Sequence, residues 1–358
     1  MQQIEKTCEL LEAHYKKYPL LQIQDVFKFL FQSVFGCEHM VSSVESAINY
    51  ISEEYNSLCN NSNEGAIEQL DGCYCRVPLS YMNKGLCAET FGKLFSYSSN
   101  KTENGWLILT EKLEIAKKLI REDRLPFAED EFEKAVVEWE NIGFSPIHHS
   151  DVFRENYHPS YRVIRSDYIP FLPLFSKLDK QQKNGKTIVA IEGGSASGKT
   201  TLSQLLQSIY NCTVFHMDDF FLQPHQRTPE RFAEVGGNID WERFLAEVLE
   251  PLKNGEKINF KKFDCSSMTL TKAERITPQK LVIVEGVYSM HPKLCEYYDF
   301  SVFLNVSSKL QKERIMNRNS PQLAERFFEE WIPLENKYFA NTNIKERCDL
   351  TINITTFE

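Results

Sequence analysis

Apolar residues recur at intervals of three and four through the first half of the chain, the spacing that lines one face of a helix. Ile4, Cys8, Leu11 and Tyr15 follow it up to Pro19, which ends the run. Val26, Phe27, Leu30, Phe31 and Val34 repeat it between Gln24 and Phe35, and Gly36 breaks it. Val44, Ile48 and Ile51 mark a third helix within Val41–Tyr55, and the polar run 56–65 reads as a loop. Further helices are predicted over Ala88–Tyr97, Glu103–Arg121 and Ala128–Asn141, with no internal repeat. The polar stretch Leu174–Gly185, closing in Lys183-Asn184-Gly185, reads as a boundary. The expectation is a mainly α-helical domain over residues 1–180 and a second domain over 186–358.

Beyond that boundary the pattern changes to short apolar runs separated by helical stretches. Ile188–Ile191, Thr213–Phe215, Leu281–Val284, Phe300–Val306 and Leu350–Ile354 read as strands. Thr201–Leu206, Trp241–Leu252 and Ser307–Arg318 read as helices between them. This alternation predicts an α/β fold, a parallel sheet flanked by helices. Lys257–Phe263 alternates apolar and polar residues, which suggests an exposed strand.

Composition narrows the setting. Charged residues make up 25% and hydrophobic residues 42% of the 358, ordinary for a globular protein of two domains. A net charge of −9 without a compensating basic stripe argues against a nucleic-acid partner. No apolar run has the length of a membrane span, and Met1–Lys6 lacks a signal-peptide pattern. Ten cysteines fall singly within apolar patterns, as Cys8, Cys37 and Cys212 do, which fits reduced, mostly buried thiols and a cytoplasmic location.

The strongest chemical signal is Gly193-Gly194-Ser195-Ala196-Ser197-Gly198-Lys199-Thr200, placed between an apolar strand and a helix. That order is a phosphate-binding loop, the P-loop of NTPases. Gly193 and Gly198 let successive N–H groups curl inward around phosphate oxygens, and the helix beginning at Thr200-Thr201 adds free donors. Lys199 is placed to reach the β- and γ-phosphates of ATP, and the Thr200 hydroxyl to hold Mg²⁺. The alternative, a Gly/Ser linker, does not account for the flanking strand and helix.

Asp218-Asp219 close the next strand, where a carboxylate can deprotonate an attacking hydroxyl, unless one of the two only caps a helix. Gln226–Arg231 and Gly236–Trp241 form an irregular segment suited to a substrate lid. Within it, Asn238 and Asp240 could bind vicinal hydroxyls, or Asp240 could cap the following helix. Glu285 ends a buried strand where a P-loop enzyme keeps a carboxylate for Mg²⁺. Arg314 and Arg318, four apart on one helix face, could clamp phosphates or could form a solvated basic face.

The first half also carries polar residues without an evident role: His39, Arg76, His148-His149 and Tyr157–Arg162. Their spacings match no familiar metal pattern, and Cys73-x-Cys75 is not a zinc knuckle. A structural or loop role and an anion pocket both remain open for them.

Residues from about 187 to 354 resemble the uridine kinase family, grouped with phosphoribulokinase and nicotinamide riboside kinase. Gly193–Thr200, Asp218-Asp219-Phe220-Phe221, Asn238-Ile239-Asp240 and Val284-Glu285-Gly286 carry the resemblance in order. It implies a five-stranded parallel sheet, Asp218 as general base, Asp240 on ribose hydroxyls and, more loosely, Arg314 and Arg318 as lid arginines. The segment Trp331–Phe339 and the loop from Phe221 to Asn238 depart from the family pattern, which bears on the identity of the acceptor. Three functions follow as expectations: a Mg²⁺-dependent kinase moving the γ-phosphoryl of ATP to a small-molecule hydroxyl, most simply a nucleoside; a nucleotide-dependent switch whose helical half binds a partner; or a kinase whose helical half is a second enzyme or senses the product. No Asn-Lys-x-Asp guanine motif is present, since Asn336-Lys337 runs into Tyr338-Phe339.

Overall fold

A computed structural model of the chain describes residues 2–37, 43–58, 65–99, 103–182 and 185–354. His39, singled out above, lies outside the described residues. The chain divides between Asp179 and Lys180 into two compact units.

Unit 1 contains α1 (Gln2–Lys17), α2 (Ile23–Phe35), α3 (Val44–Ser57), α4 (Ala88–Tyr97), α5 (Gly105–Arg121), α6 (Glu129–Asn141), α7 (Asp151–Tyr157) and α8 (Leu172–Gln181). The helical spacing places α1 to α6 but does not foresee α7, and Ser43 caps α3 by accepting the Ser46 N–H at 3.1 Å. Gly36 ends α2 at φ +56°, and the Tyr74 ring fills the space a Cβ would need, 2.5 Å from it. Two features depart from expectation. The unit also holds an antiparallel sheet of β1 (Glu68–Gln69), β2 (Tyr74–Pro78) and β3 (Tyr161–Arg165), whose outer strands are too short or too polar to announce themselves. The stretch read as a polar boundary is largely α8, because Leu174, Phe175 and Leu178 are buried.

Unit 2 is the expected α/β layer structure, a parallel sheet flanked by helices. Its strands are β4 (Thr187–Glu192), β5 (Cys212–His216), β10 (Leu281–Glu285), β11 (Phe300–Val306) and β12 (Leu350–Ile354), in the order β12-β11-β4-β10-β5, all parallel. Helices α9 (Lys199–Ile209), α10 (Pro229–Ala233), α11 (Trp241–Phe244), α12 (Glu250–Asn254), α13 (Ser308–Arg318), α14 (Pro321–Arg326), α15 (Ile332–Thr342) and α16 (Ile344–Arg347) complete it, α11 running into α12 through a π turn. Four short strands, β6 (Ile258–Phe260), β7 (Phe263–Asp264), β8 (Thr269–Leu270) and β9 (Glu274–Ile276), pair as two antiparallel ribbons. The strand expected to be exposed is half-buried instead. Ile258 and Phe260 face the core while Asn259 faces solvent, as a period of two requires.

All nine described cysteines are free thiols, but only Cys8, Cys37 and Cys75 are buried, fewer than expected. Among the described residues no helix is long and apolar enough to cross a membrane.

Every residue of the central strand β4 is buried, and it ends in a carboxyl, Glu192, with no solvent exposure. Glu192 accepts hydrogen bonds from Gly193 N (2.9 Å), Met290 N (3.0 Å) and the Tyr338 hydroxyl (3.1 Å). Burial nevertheless dominates and pushes its carboxyl from 4.5 to about 7, against the pull of those donors and of Lys199. The folded state therefore holds this proton more tightly than the unfolded chain. The resulting stabilisation is complete below the unfolded value and is lost as pH rises through the folded one. At about 1.4 kcal/mol per pH unit the gap corresponds to about 3 kcal/mol. In denaturant titrations, the stability of the wild-type chain relative to Glu192→Gln should fall by about that amount between pH 4.5 and pH 8. A difference that is flat or rises with pH contradicts this account of Glu192.

Candidate active site

The P-loop lies between the C-terminal end of β4 and α9, at the sheet edge where loops of a parallel fold converge on ligands. Gly193 sits at φ +150°, and an added Cβ there would come within 2.6 Å of the Leu304 carbonyl and 2.9 Å of Ser197 Oγ. Gly198 adopts a left-handed conformation, φ +102°, and turns the chain into the first turn of α9.

The loop is gripped from its outer side. Gln311 Nε2 donates to Ser195 O at 2.9 Å and Arg314 Nη1 to Ala196 O at 3.1 Å, both from α13. From α15, the carboxylate of Glu335 accepts the Ser195 N–H at 2.9 Å and the Ser195 hydroxyl. Glu335 is 4% exposed, and burial raises its pKa although the Ser195 donors and Lys199 oppose that. On the inner side, Lys199 Nζ donates to the carbonyls of Gly193 and Gly194, each at 2.9 Å. Among the described residues no carboxylate lies within ion-pair distance of this buried ammonium. Its charge stays available to an anion on the loop.

The side chains of Thr200 and Glu285 are brought into contact. The Thr200 hydroxyl donates to Glu285 Oε1 at 3.0 Å, and the same oxygen lies 2.6 Å from His216 Nδ1. The hydrogen bond to Glu285 raises the His216 pKa, with burial opposing. The hydroxyl and carboxylate are hard oxygen donors of the kind Mg²⁺ takes. Among the described residues no three His, Cys, Asp or Glu side chains form a group that could hold a metal ion. Thr201, further along α9, is exposed.

Neighbouring carboxylates at the end of β5 have separate surroundings. Asp218 is exposed to solvent in surface terms, yet it sits where protein crowds its carboxyl. That desolvation raises its pKa, Glu285 adds to the rise, and Lys199, His216 and Arg318 counter it. Asp219 answers chiefly to Lys262, 3.9 Å from its Oδ2, which opposes the rise that its own burial causes.

The segment Asn238-Ile239-Asp240 is pinned against this motif. Asp240 N donates to Phe220 O at 2.8 Å, Ile239 bridges Phe221, and Arg243 Nη2 donates to Asp219 O at 3.0 Å. Asp240 is 3% exposed and caps α11, accepting Arg243 N at 3.1 Å and Gln226 Nε2 at 3.0 Å. Of its two compatible roles the cap is the one visible in the fold. Arg314 braces the loop, whereas Arg318 is exposed and lies over the Phe327 ring at 5.8 Å. The two arginines share a helix but not a task.

Sequence reasoning passes over Gln311, His216, Glu192 and Glu335. The one available signal was Glu335 and Tyr338, three apart on one face of an aromatic-rich helix. Both turn toward the P-loop and the carboxyl that precedes it.

Residues 188–323 match the model of the Phosphoribulokinase / Uridine kinase family. A uridine kinase from Chlamydia pneumoniae is 29% identical over 143 residues, 37% of this chain and 61% of that protein. One from Macrococcus caseolyticus is 28% identical over 148 residues, 39% of this chain and 70% of that protein. Uridine kinase-like protein 4 of Arabidopsis thaliana is 24% identical over 144 residues, 37% of this chain and 30% of that protein. This chain thus spans about three fifths of the Chlamydia protein and under a third of the Arabidopsis one. A solved structure, of a possible uridine kinase from Bacillus stearothermophilus, is 22% identical with a TM-score of 0.38, covering 50% of this chain and 98% of that one. With the P-loop, the paired aspartates and Glu285 in place at one sheet edge, residues 188–323 are a phosphoribulokinase / uridine kinase family domain.

Proposed function

We propose that unit 2 is a kinase that transfers the γ-phosphoryl group of ATP to a hydroxyl of a small metabolite, with a nucleoside as the acceptor class, in the cytoplasm. The observation that carries this reading is the placement of Asp218 directly after β5, at the same sheet edge as the P-loop and as Glu285 at the end of the neighbouring strand β10. A nucleotide switch needs no carboxylate there, whereas a transferase needs one to take the acceptor's proton. In the proposed reaction the acceptor oxygen bonds to the γ-phosphorus as the bond to the ADP oxygen breaks, and the proton passes to Asp218. The loop Gly193–Thr201 holds the phosphates through those N–H groups not already given to Glu192, Glu335 and the Gly194 carbonyl (the ones of Gly193, Ser195 and Ser197), together with the Lys199 ammonium. Arg318 faces the charge that develops on transfer. Thr200 and Glu285 would hold Mg²⁺, which would supply charge neutralisation for the phosphates. Asn238 and Asp240 border the acceptor, since the Asp240 carboxylate keeps lone pairs beyond those given to Gln226 and Arg243. Kinship with uridine kinases supports the acceptor class, and unit 1 has no part in this chemistry as proposed.

An ATP-consumption screen over nucleosides, other ribosides, pantothenate-like alcohols and sugars tests the reading. Acceptor-dependent ADP release is expected, and slow hydrolysis indifferent to every acceptor favours the switch instead. Lys199→Ala should keep its circular dichroism and melting behaviour but lose about 10²-fold or more in turnover, as removal of one preorganised donor does. Near-normal turnover in that folded variant removes the P-loop assignment.

The two aspartates give a sharper comparison. Asp218→Asn should lower turnover by roughly 10²-fold with little change in ATP affinity, and Asp219→Asn should be milder. Since burial and Glu285 raise the Asp218 pKa, the rate should climb with pH as that carboxyl deprotonates. Steady-state kinetics of both variants decide the matter: a dead Asp219→Asn beside an active Asp218→Asn assigns the base to the wrong neighbour.

A further inference from the structure

Unit 1 contains a polar interior that the proposed kinase chemistry does not use. In α2, Asp25, Lys28 and Gln32 lie at i, i+3 and i+7, one helix face, and all three are buried. A face of that composition belongs against water, and here it is turned inward toward β2 and β3.

Arg76 of β2 is the centre of this interior, with 2% exposure. Its Nε donates to Gln32 Oε1 at 2.8 Å and its Nη1 to Glu68 Oε2 at 2.9 Å. The guanidinium lies over the Tyr161 ring at 4.8 Å and the Phe29 ring at 5.5 Å. Nη2 is buried and has no partner among the described residues. Leaving a charged donor buried and unmade is costly, so a purely structural arginine would use it.

The neighbours of Arg76 are themselves fixed. His14 Nδ1 lies 3.0 Å from Glu68 Oε1, and burial keeps the imidazole neutral, so Nδ1–H donates to the carboxylate. Burial works against ionisation of Glu68, but the His14 hydrogen bond and the charges of Arg76 and Lys17 outweigh it and hold its carboxyl far below the usual range. On the other side, His149 Nδ1 is 2.9 Å from Asp25 Oδ1 and Nε2 is 2.7 Å from the Tyr161 hydroxyl. Burial pushes His149 down to about 4, so the neutral ring donates to Asp25 and accepts from Tyr161. The chain Asp25–His149–Tyr161 therefore locks the ring on which Arg76 rests.

Arg76, Glu68 and Tyr161 of this network border a cavity of about 520 Å³, within the range of small-molecule sites. Arg76, Lys17 and Glu68 supply its charge, and Tyr18, Phe153 and Tyr161 supply aromatic walls. Two cations face one carboxylate, leaving one positive charge in excess. We propose that this cavity in unit 1 is a binding site for a small planar metabolite carrying one anionic group, a phosphate monoester or a carboxylate, held by the positive charges of Arg76 and Lys17 on its wall. A guanidinium donor matches either oxyanion, and the rings take the planar body. His14 and His149 are positioning residues in this site.

Titration calorimetry of the full chain at low ionic strength tests the proposal, with phenyl phosphate, benzoate and the neutral benzyl alcohol as probes. At least one anion should bind once per chain, about tenfold or more tighter than the alcohol, and the preferred anion identifies the oxyanion. Lys17→Gln should weaken that binding about threefold and Arg76→Lys about tenfold, while Lys199→Ala leaves it unchanged. Lys17 is 43% exposed at its side chain, so Lys17→Gln carries the test if Arg76→Lys does not fold. Failure of both anions to bind at millimolar concentration overturns the site and leaves a structural cavity. So does binding that ignores Lys17→Gln, and so does binding lost in Lys199→Ala, which belongs to the P-loop.

Discussion

The turn from β4 into α9 depends on a steric constraint at one residue. Gly193 leaves the strand where a Cβ would strike the Leu304 carbonyl of the adjacent strand, at 2.6 Å. With hydrogen in that place the backbone can stay against β11 while reversing into the loop, and Lys199 can fold its ammonium back onto the carbonyls of Gly193 and Gly194. Everything chemical in unit 2 is measured from this turn. Thr200 meets Glu285 because α9 starts where the loop ends, and β10 lies beside β4 in parallel register.

Around that turn, four carboxyl groups are kept close: Glu192 beneath it, Glu335 on its outer side, and Asp218 and Glu285 at the neighbouring strand ends. Burial raises the pKa of Glu192, Asp218 and Glu335, so the surroundings resist a concentration of negative charge, and Lys199 opposes each of these three rises. Carboxyls with different neighbours serve different ends. Glu192 and Glu335 have their oxygens tied to backbone and hydroxyl donors and set the shape of the loop. Glu285 is buried with its Oε1 on the Thr200 hydroxyl and His216, and Asp218 is exposed just beyond β5. His216 belongs to the second group through its bond to Glu285.

Unit 1 follows another rule, in which the informative residues are polar ones on the wrong side of a helix. Its apolar positions build an ordinary core, with aromatic contacts such as Phe27 on Trp139 at 4.8 Å. Its buried charges form linked pairs, Lys112 with Asp71 at 2.9 Å and Arg76 with Glu68, while the neutral His149 ring donates to the Asp25 carboxylate. Buried pairs of this kind contribute little net stability, because desolvation offsets their attraction.

The sequence by itself determined the parts whose signal is local. Helical spacing located most of the helices of unit 1, apolar runs located the five parallel strands, and Gly193–Thr200 announced the phosphate loop, because periodicity and glycine placement act over a few residues. Tertiary structure decided what depends on distant partners. It placed α8 where polar residues suggested a boundary, since Leu174, Phe175 and Leu178 find a core the sequence cannot display. It paired β2 with β3 across the helices between them, and that pairing brings Arg76 beside Tyr161. It separated Asp218 from Asp219 by crowding the first with protein near Glu285 and Lys199 and setting Lys262 3.9 Å from the second. It also made Glu335, 140 residues from Ser195, a brace of the loop. A carboxylate's role is set by which donors reach it, and no spacing along the chain records that.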